Sequence, residues 1–331
     1  MPHNKAIVLA SRPQGAPVAG NFRLVESETA EPGEGQLLVK HLFMSLDPYM
    51  RGRMDDSKSY AASQPVDAVM GGGTVGEVVA SKNPRFKVGD HVVGMGGWQQ
   101  YSLTDGQGLM KVDGSKIPLS AYLGVLGMPG VTAWYGLHKI IAPKKGETVV
   151  VSAATGAVGS VVGQLAKFAG ARTVGIAGGT EKCAYATSEL GFDACVDHRS
   201  PTFAADMKAA LPNGVDGLFE NVGGEPFKQT MRRLNPFARI AICGLIASYN
   251  GEPTALPDMR IMLVSRAKLE GFIVSDHMPL WPEALTELGG YVASGRLKFR
   301  ETIAQGIESA PDAFMGMLTG KNFGKQVVKL V

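Results

Sequence analysis

Up to about residue 124 the apolar positions fall in short runs cut by glycines: KAIVLA (5–10), QLLVKHLFMSL (36–46), GGGTVGEVVAS (71–81), GDHVVGM (89–95), QQYSLT (99–104) and LMKV (109–112). Runs of this length, bounded by turn formers, predict strands, and their close spacing predicts a β-rich, barrel-like module. After Pro129 the pattern changes. ETVVVSAA (147–154) is followed by a helical period over 157–170, and RTVGIAG by a second through 181–190. DACVDH is followed by a third around 203–211. VDGLFENV (215–222), RIAICGL (239–245) and LEGFIV (269–274) are apolar without polar alternation, as in strands covered on both faces. Strands alternating with helices predict an α/β doubly wound parallel sheet of order 3-2-1-4-5-6. From about 297 the chain returns to short strands that rejoin the first module. The predicted division is therefore residues 1–124 with 300–331 as a discontinuous β-rich domain, and 125–299 as the α/β domain.

One turn in the second domain carries chemistry. Ala153-Ala154-Thr155-Gly156-Ala157-Val158-Gly159 directly follows a strand and opens a helix. Such a turn aims backbone N–H groups and the helix N-terminus at a pyrophosphate; Gly156 permits close approach and Gly159 permits helix–strand packing. Ala154 stands where the first glycine of GxGxxG would be. About 20 residues on, NAD-binding versions of this arrangement carry an acid on the ribose. Here the second strand ends Ala177-Gly178-Gly179-Thr180-Glu181-Lys182, with no carboxylate at its tip and Lys182 positioned to pair with a 2′-phosphate. NADPH is thus predicted over NADH, with Glu181 facing solvent. A solvated helix lysine is the alternative reading of Lys182.

Composition narrows the class. The 331 residues are 45% hydrophobic and 19% charged, an ordinary globular balance, and a net charge of +3 with no long basic run argues against nucleic-acid binding. No apolar stretch approaches a membrane span, and the N-terminus lacks the apolar core of a signal peptide, so a cytosolic location is expected. Three cysteines, Cys183, Cys195 and Cys243, are too few and too widely spaced for a disulfide framework or a metal knuckle and read as small buried hydrophobes. The six histidines show no ligand spacing.

The segment 153–182, the strand end Phe219-Glu220-Asn221-Val222-Gly223-Gly224, the run Cys243-Gly244-Leu245-Ile246-Ala247-Ser248-Tyr249-Asn250, the C-terminal Asn322-Phe323-Gly324-Lys325 and the N-terminal Ser45-Leu46-Asp47-Pro48-Tyr49-Met50-Arg51 together resemble the prostaglandin reductase (leukotriene B4 12-hydroxydehydrogenase) and curcumin reductase branch of the medium-chain dehydrogenase/reductase family. The resemblance covers essentially the whole chain. It implies a GroES-like substrate domain, a Rossmann NADPH-binding domain, a cleft between them and a homodimer formed along the cofactor-domain sheets. It also implies Lys182 on the 2′-phosphate, Asn221 and Asn322 near the ribose and nicotinamide, and Tyr249 near the nicotinamide ribose. Gly179, Cys243 and Gly244 fall in the matched cofactor segments. His198 departs from the tyrosine expected near the adenosine, though imidazole can also stack or donate a hydrogen bond. Arg199 beside it is a candidate second phosphate contact.

Zinc enzymes of related fold place a cysteine, then Gly-His-Glu, where this chain has Ser-Leu-Asp-Pro and Gly71-Gly72-Gly73-Thr74. Without such a Lewis acid, conjugate reduction is the less demanding chemistry: hydride adds to the β-carbon of an enone or enal, and hydrogen bonds from a tyrosine and the cofactor ribose stabilise the enolate oxygen. Tyr249 and Tyr49 are the candidate catalytic donors, with Tyr60 a third, and Tyr49, Arg51 and Tyr60 the candidate substrate contacts. For each tyrosine packing is the alternative, and for Arg51 a salt bridge bracing a loop. Phe43, Met44, Met128, Met259 and Met262 suggest either a lipophilic pocket for a small enone or enal substrate or ordinary core. A quinone oxidoreductase and a non-catalytic NADPH-binding structural protein are the competing functions.

Overall fold

The computed structural model describes residues 2–253 and 257–331. The chain begins with β1 (His3–Leu9), β2 (Phe22–Glu28) and β3 (Leu37–Ser45), a short helix α1 (Tyr49–Arg53), then β4 (Thr74–Ser81), β5 (His91–Gly94), β6 (Tyr101–Thr104) and β7 (Met110–Lys111). Next come α2 (Met128–Tyr135), β8 (Thr148–Ser152), α3 (Gly159–Phe168), β9 (Arg172–Ala177), α4 (Thr180–Ser188), β10 (Ala194–Asp197), α5 (Phe203–Ala210), β11 (Val215–Glu220), α6 (Gly224–Met231), β12 (Leu234–Ile242), α7 (Met259–Ser265), β13 (Lys268–Gly271) and α8 (Trp281–Ala293). The C-terminal stretch adds β14 (Glu301–Gln305), α9 (Ala310–Leu318) and β15 (Lys325–Lys329). Two compact units result: Met1–Gly124 with Glu301–Val331, and Val125–Arg300. No helix among the described residues is long and apolar enough to cross a membrane.

The second unit is a Rossmann domain. Its six strands run in the order β10-β9-β8-β11-β12-β13, all parallel, which in chain order is 3-2-1-4-5-6. All five residues of β8 are buried, because helices cover both faces of the central strands and leave no position for a polar side chain without a partner. Val150, Val174, Ile176, Val196, Leu218 and Ile240 project to one face and pack with Phe203 and Met207 of α5. On the other face a Cβ at Gly163 of α3 would lie 1.8 Å from Phe192 Cζ, so glycine lets the helix close on that ring. β13 corrects one expectation. LEGFIV predicts a strand covered on both faces, but the strand ends at Gly271 and lies at the sheet edge, with Lys268, Leu269 and Gly271 exposed.

The first unit is the β-rich GroES-like module. β1 and β2 form an antiparallel pair, and β14-β15-β3-β4-β5-β7 form a sheet with β6 paired to β3. The core centres on Trp98, buried and stacked on Phe22 at 5.8 Å between ring centroids, with Phe314 edge-on at 5.5 Å. Phe314 belongs to α9, so the C-terminal stretch supplies a core ring as well as two strands. A Cβ at Gly76 would sit 2.3 Å from Lys40 O, which is why the β3–β4 crossing carries glycine there.

Candidate active site

The cofactor turn lies between β8 and α3. Ala153 adopts φ 49°, a left-handed conformation that turns the chain sharply off the strand, and its carbonyl accepts from Gly156 N at 2.8 Å. Ala154 is fully buried and donates its N–H to Ile176 O of β9 at 3.0 Å, while Thr155 is also buried. A Cβ at Gly159 would come 2.3 Å from Ala153 O, and one at Gly156 would come 3.2 Å from the same oxygen. Side chains at these two positions would fill the cradle. Ala157 and Val158 complete it and remain half-exposed where α3 starts.

At the carboxyl ends of β9 and β10 three basic side chains gather. A Cβ at Gly178 would lie 2.9 Å from His198 Nε2 and 3.0 Å from Arg199 Nε, so both side chains fold over the strand tip. Lys182 stands in the first turn of α4, its pKa lowered by burial and by Arg199, against Glu181, which raises it. His198 is lowered for the same two reasons, burial first and Arg199 second, with Lys182 adding a smaller push. The Arg199 guanidinium thus disfavours a proton on both neighbours, and a lowered pKa leaves the His198 imidazole neutral between two cations.

Asp197 was not anticipated. It projects from the end of β10 and accepts from Gly179 N at 2.8 Å and Arg199 N at 2.9 Å. Burial would raise its pKa, but those donors, with His198 and Arg199, hold it below the usual carboxylate range. A carboxylate therefore does reach the tip of the second strand, from the neighbouring strand, and anchors the loop beneath the cations. The Asp197-His198-Arg199 spacing, with an Asx acceptor two residues before a backbone donor, is the signal that could have revealed it.

Glu220 also escaped the sequence reading. Fully buried at the end of β11, it accepts through Oε1 from Val222 N (2.6 Å), Gly223 N (2.7 Å) and Ser152 Oγ (2.9 Å). Burial raises its pKa against those donors. Ser152 Oγ in turn accepts from Asn221 N at 2.8 Å, and Asn221 Nδ2 donates to Ser152 O at 2.8 Å. This network holds Asn221 at the carboxyl edge. The chain after β12 is clipped onto it by Cys243 N and Gly244 N on Glu220 O and by Ala247 N on Val222 O. Burial pushes the Cys243 thiol up to about 12, with Glu220 adding to the shift. Tyr249 folds back over this turn: Leu245 N donates to its Oη at 3.4 Å, and a Cβ at Gly244 would lie 3.0 Å from that oxygen.

The remaining candidates sit in the first unit. Tyr49 opens α1 with its ring under the Arg53 guanidinium at 4.7 Å. Burial, and after it Asp47, raise its pKa; Tyr60, exposed, contributes a smaller increase, so the two phenols are electrostatic neighbours. Arg51 is buried, with Nη1 on Asp55 at 2.8 Å and Nη2 donating to Gly15 O at 2.7 Å, a loop-bracing arrangement. Behind Tyr49, Asp47 pairs with buried Lys325 at 3.0 Å and accepts from Ser45 Oγ. Asn322 Nδ2 donates to Gly324 O at 2.7 Å in the turn before β15. Of the apolar candidates, Met44 is core, Phe43 and Met262 pack at the margins of core clusters, and Met259 is exposed. Among the described residues no group of three or more His, Cys, Asp or Glu is placed to hold a metal ion.

Comparison with known proteins adds to this geometry. Residues 5–112 match a family described as the N-terminal domain of oxidoreductase, and residues 157–289 one described as zinc-binding dehydrogenase. The chain is 48% identical over 334 residues to the NADPH-dependent curcumin reductase of Escherichia coli (strain K12), covering 99% of this chain and 97% of that protein. It is 40% identical over 333 residues to the 2-alkenal reductase (NADP(+)-dependent) of Nicotiana tabacum, covering 98% and 97%. The crystal structure of CurA in complex with NADPH from Vibrio vulnificus matches with a TM-score of 0.95 and 47% identity over 99% of each chain.

Proposed function

Because the chain belongs to the medium-chain dehydrogenase/reductase family, in its prostaglandin reductase and curcumin reductase branch, and is by that membership an NADP-dependent oxidoreductase, we propose that it reduces the carbon–carbon double bond of α,β-unsaturated ketones and aldehydes with NADPH. The observation that carries this reading is the pair of cations Lys182 and Arg199, with the His198 imidazole beside them, next to a glycine-lined strand-to-helix cradle, in a chain similar over its full length to reductases of curcumin and 2-alkenals.

When bound, NADPH would supply the hydride that adds to the β-carbon of the substrate, and the α-carbon would take its proton from water or a nearby phenol. The N-terminus of α3, opened by Gly156 and Gly159, faces the pyrophosphate with its N–H groups. Lys182 and Arg199 would hold the 2′-phosphate, and His198 would pack near the adenosine. Gly179, Asn221, Cys243 and Gly244 would line the path to the nicotinamide, and Asn322 keeps the role that the family resemblance implies for it. Tyr249 donates a hydrogen bond that strengthens as charge develops on the substrate oxygen. Tyr49, whose raised pKa keeps the phenol protonated, is the second donor, with Tyr60 as its neighbour, while Arg51 is taken up in bracing the loop through Asp55 and Gly15 O. No step needs a metal, because the donors are phenols and the hydride source is the cofactor.

A homodimer is part of this reading. The exposed β13 edge, with Leu269, Phe237 and the α7 residues Leu263 and Val264 also exposed, is the face a second copy would cover. We place the protein in the cytosol. Mixing purified protein with NADPH and a panel of enones, alkenals and quinones, with absorbance followed at the nicotinamide band, tests the function. Consumption with enones and alkenals is expected. Consumption with quinones alone would make it a quinone oxidoreductase, and binding without consumption a structural protein.

A further inference from the structure

Cys183 stands in α4 immediately after Lys182, and Cys195 stands in β10; their Sγ atoms lie 3.0 Å apart. Both are half-buried thiols. Cys195 points to the α4 side of the sheet beneath the cofactor turn, since a Cβ at its register partner Gly175 would meet Ala154 Cβ at 2.8 Å and Cys195 Sγ at 3.2 Å. A disulfide needs about 2.05 Å between sulfurs, so closing this pair brings the two sulfurs about 1 Å nearer and draws on the backbone that carries them, the start of α4 and β10. The chain has a joint for that motion. Gly179, the residue before α4, holds φ 102° with no atom within 4 Å of the position a Cβ would occupy.

We infer that Cys183 and Cys195 form an oxidisable dithiol, which a hydroperoxide closes into a disulfide that weakens NADPH binding by displacing Lys182. The consequence for NADPH rests on the assignment of Lys182 to the 2′-phosphate. The two thiols are not equivalent. Contact with Cys195 and the N–H of Ala177 lower the pKa of Cys183, whereas contact with Cys183, and then burial, raise that of Cys195. Cys195 Sγ donates to Cys183 Sγ, and Cys183 lies near the N-terminus of α4, so Cys183 is the attacking thiolate. Its sulfur bonds to the distal peroxide oxygen as the O–O bond breaks. The departing alkoxide takes the proton Cys183 has lost, leaving a sulfenic acid and an alcohol. Cys195 sulfur then bonds to Cys183 sulfur, the S–O bond breaks, and the hydroxide leaves as water with the Cys195 proton. Two thiols lose two electrons, and the peroxide is reduced to one alcohol and one water. Cys243, beyond β12 with three strands between it and β10, takes no part.

The test treats reduced protein with stoichiometric hydrogen peroxide, maps linked peptides by mass under non-reducing conditions, and measures Kd for NADPH and NADH by fluorescence. The expected result is a 183–195 link two hydrogens lighter than the dithiol, with Kd for NADPH raised roughly tenfold, Kd for NADH little changed, and recovery on dithiothreitol. Cys195→Ser should bind NADPH like the reduced protein, and peroxide should take its Cys183 no further than the sulfenic acid, with no 183–195 link. Absence of the link overturns the inference, as does a linked protein whose NADPH affinity is unchanged. Reduced Lys182→Ala separates the causes of that second outcome: if it binds NADPH normally, the role of Lys182 fails; if it binds weakly, the coupling to the dithiol fails.

Discussion

Lys182→Ala tests the cofactor assignment most directly. The ammonium stands half-buried in the first turn of α4, beside Arg199 and next to Glu181. A charge-assisted phosphate contact is worth about 1.5–3 kcal/mol, roughly a 10- to 150-fold change in affinity. Two features move the figure within that range. Arg199 remains and keeps a second contact, but it is exposed and more strongly screened. Glu181, exposed beside it, loses its neighbouring cation, and its charge offsets part of what Arg199 retains. A rise in Kd for NADPH of roughly 10- to 30-fold is expected, against a change of at most about twofold for NADH, which has no phosphate there. Adding Arg199→Ala should remove most of the remaining discrimination. Titration of both cofactors by quenching of protein fluorescence measures these ratios directly. Equal losses for NADPH and NADH would refute the reasoning, because they would show that the lysine supports the fold of the site and not the phosphate.

Tyr249→Phe should lower turnover on a good enone by a factor on the order of 10²–10³, by analogy with loss of one oxyanion donor, with cofactor Kd nearly unchanged; wild-type turnover would assign the phenol to packing alone. Gly159→Ala puts a methyl 2.3 Å from Ala153 O and should impair NADPH and NADH binding alike, so a selective effect on one cofactor would contradict the pyrophosphate role. His41, whose pKa burial lowers to about 4, stays neutral in the folded chain while the unfolded chain protonates near 6.5. The depressed pKa belongs to the folded state, so this contribution is fully present above about pH 6.5 and is lost as pH falls towards 4. The gap corresponds to about 3 kcal/mol, and denaturant midpoints across that window should flatten in His41→Gln. Prolonged chelation should leave activity intact; loss of activity together with release of one zinc per chain would overturn the metal-free mechanism.

What could be read from the sequence divides along physical lines. The central strands of the parallel sheet announced themselves because covered strands tolerate little but apolar residues, as the five buried positions of β8 show, whereas the edge strand β13 reads as a covered one. β2 carries no such mark: only Phe22 of its seven residues is buried, so FRLVESE reads as polar loop although the strand pairs along its full length with β1. The helices α2, α8 and α9 were obscured by the prolines near their starts and, in α8, by the Gly289-Gly290 pair. Site residues divide the same way. Gly156, Gly159 and Lys182 act at positions fixed by distance along the chain from one strand, so a linear motif finds them. Glu220 and Asp197 act across strands, one on Ser152 and its own downstream turn, the other on the tip of β9. The Cys183–Cys195 contact is of this second kind, since twelve positions of sequence separate two sulfurs that the α4–β10 packing brings to 3.0 Å. Read along the chain, those cysteines are two small hydrophobes; only the fold makes them a pair, and only a pair can take up an oxidant's two electrons as a disulfide.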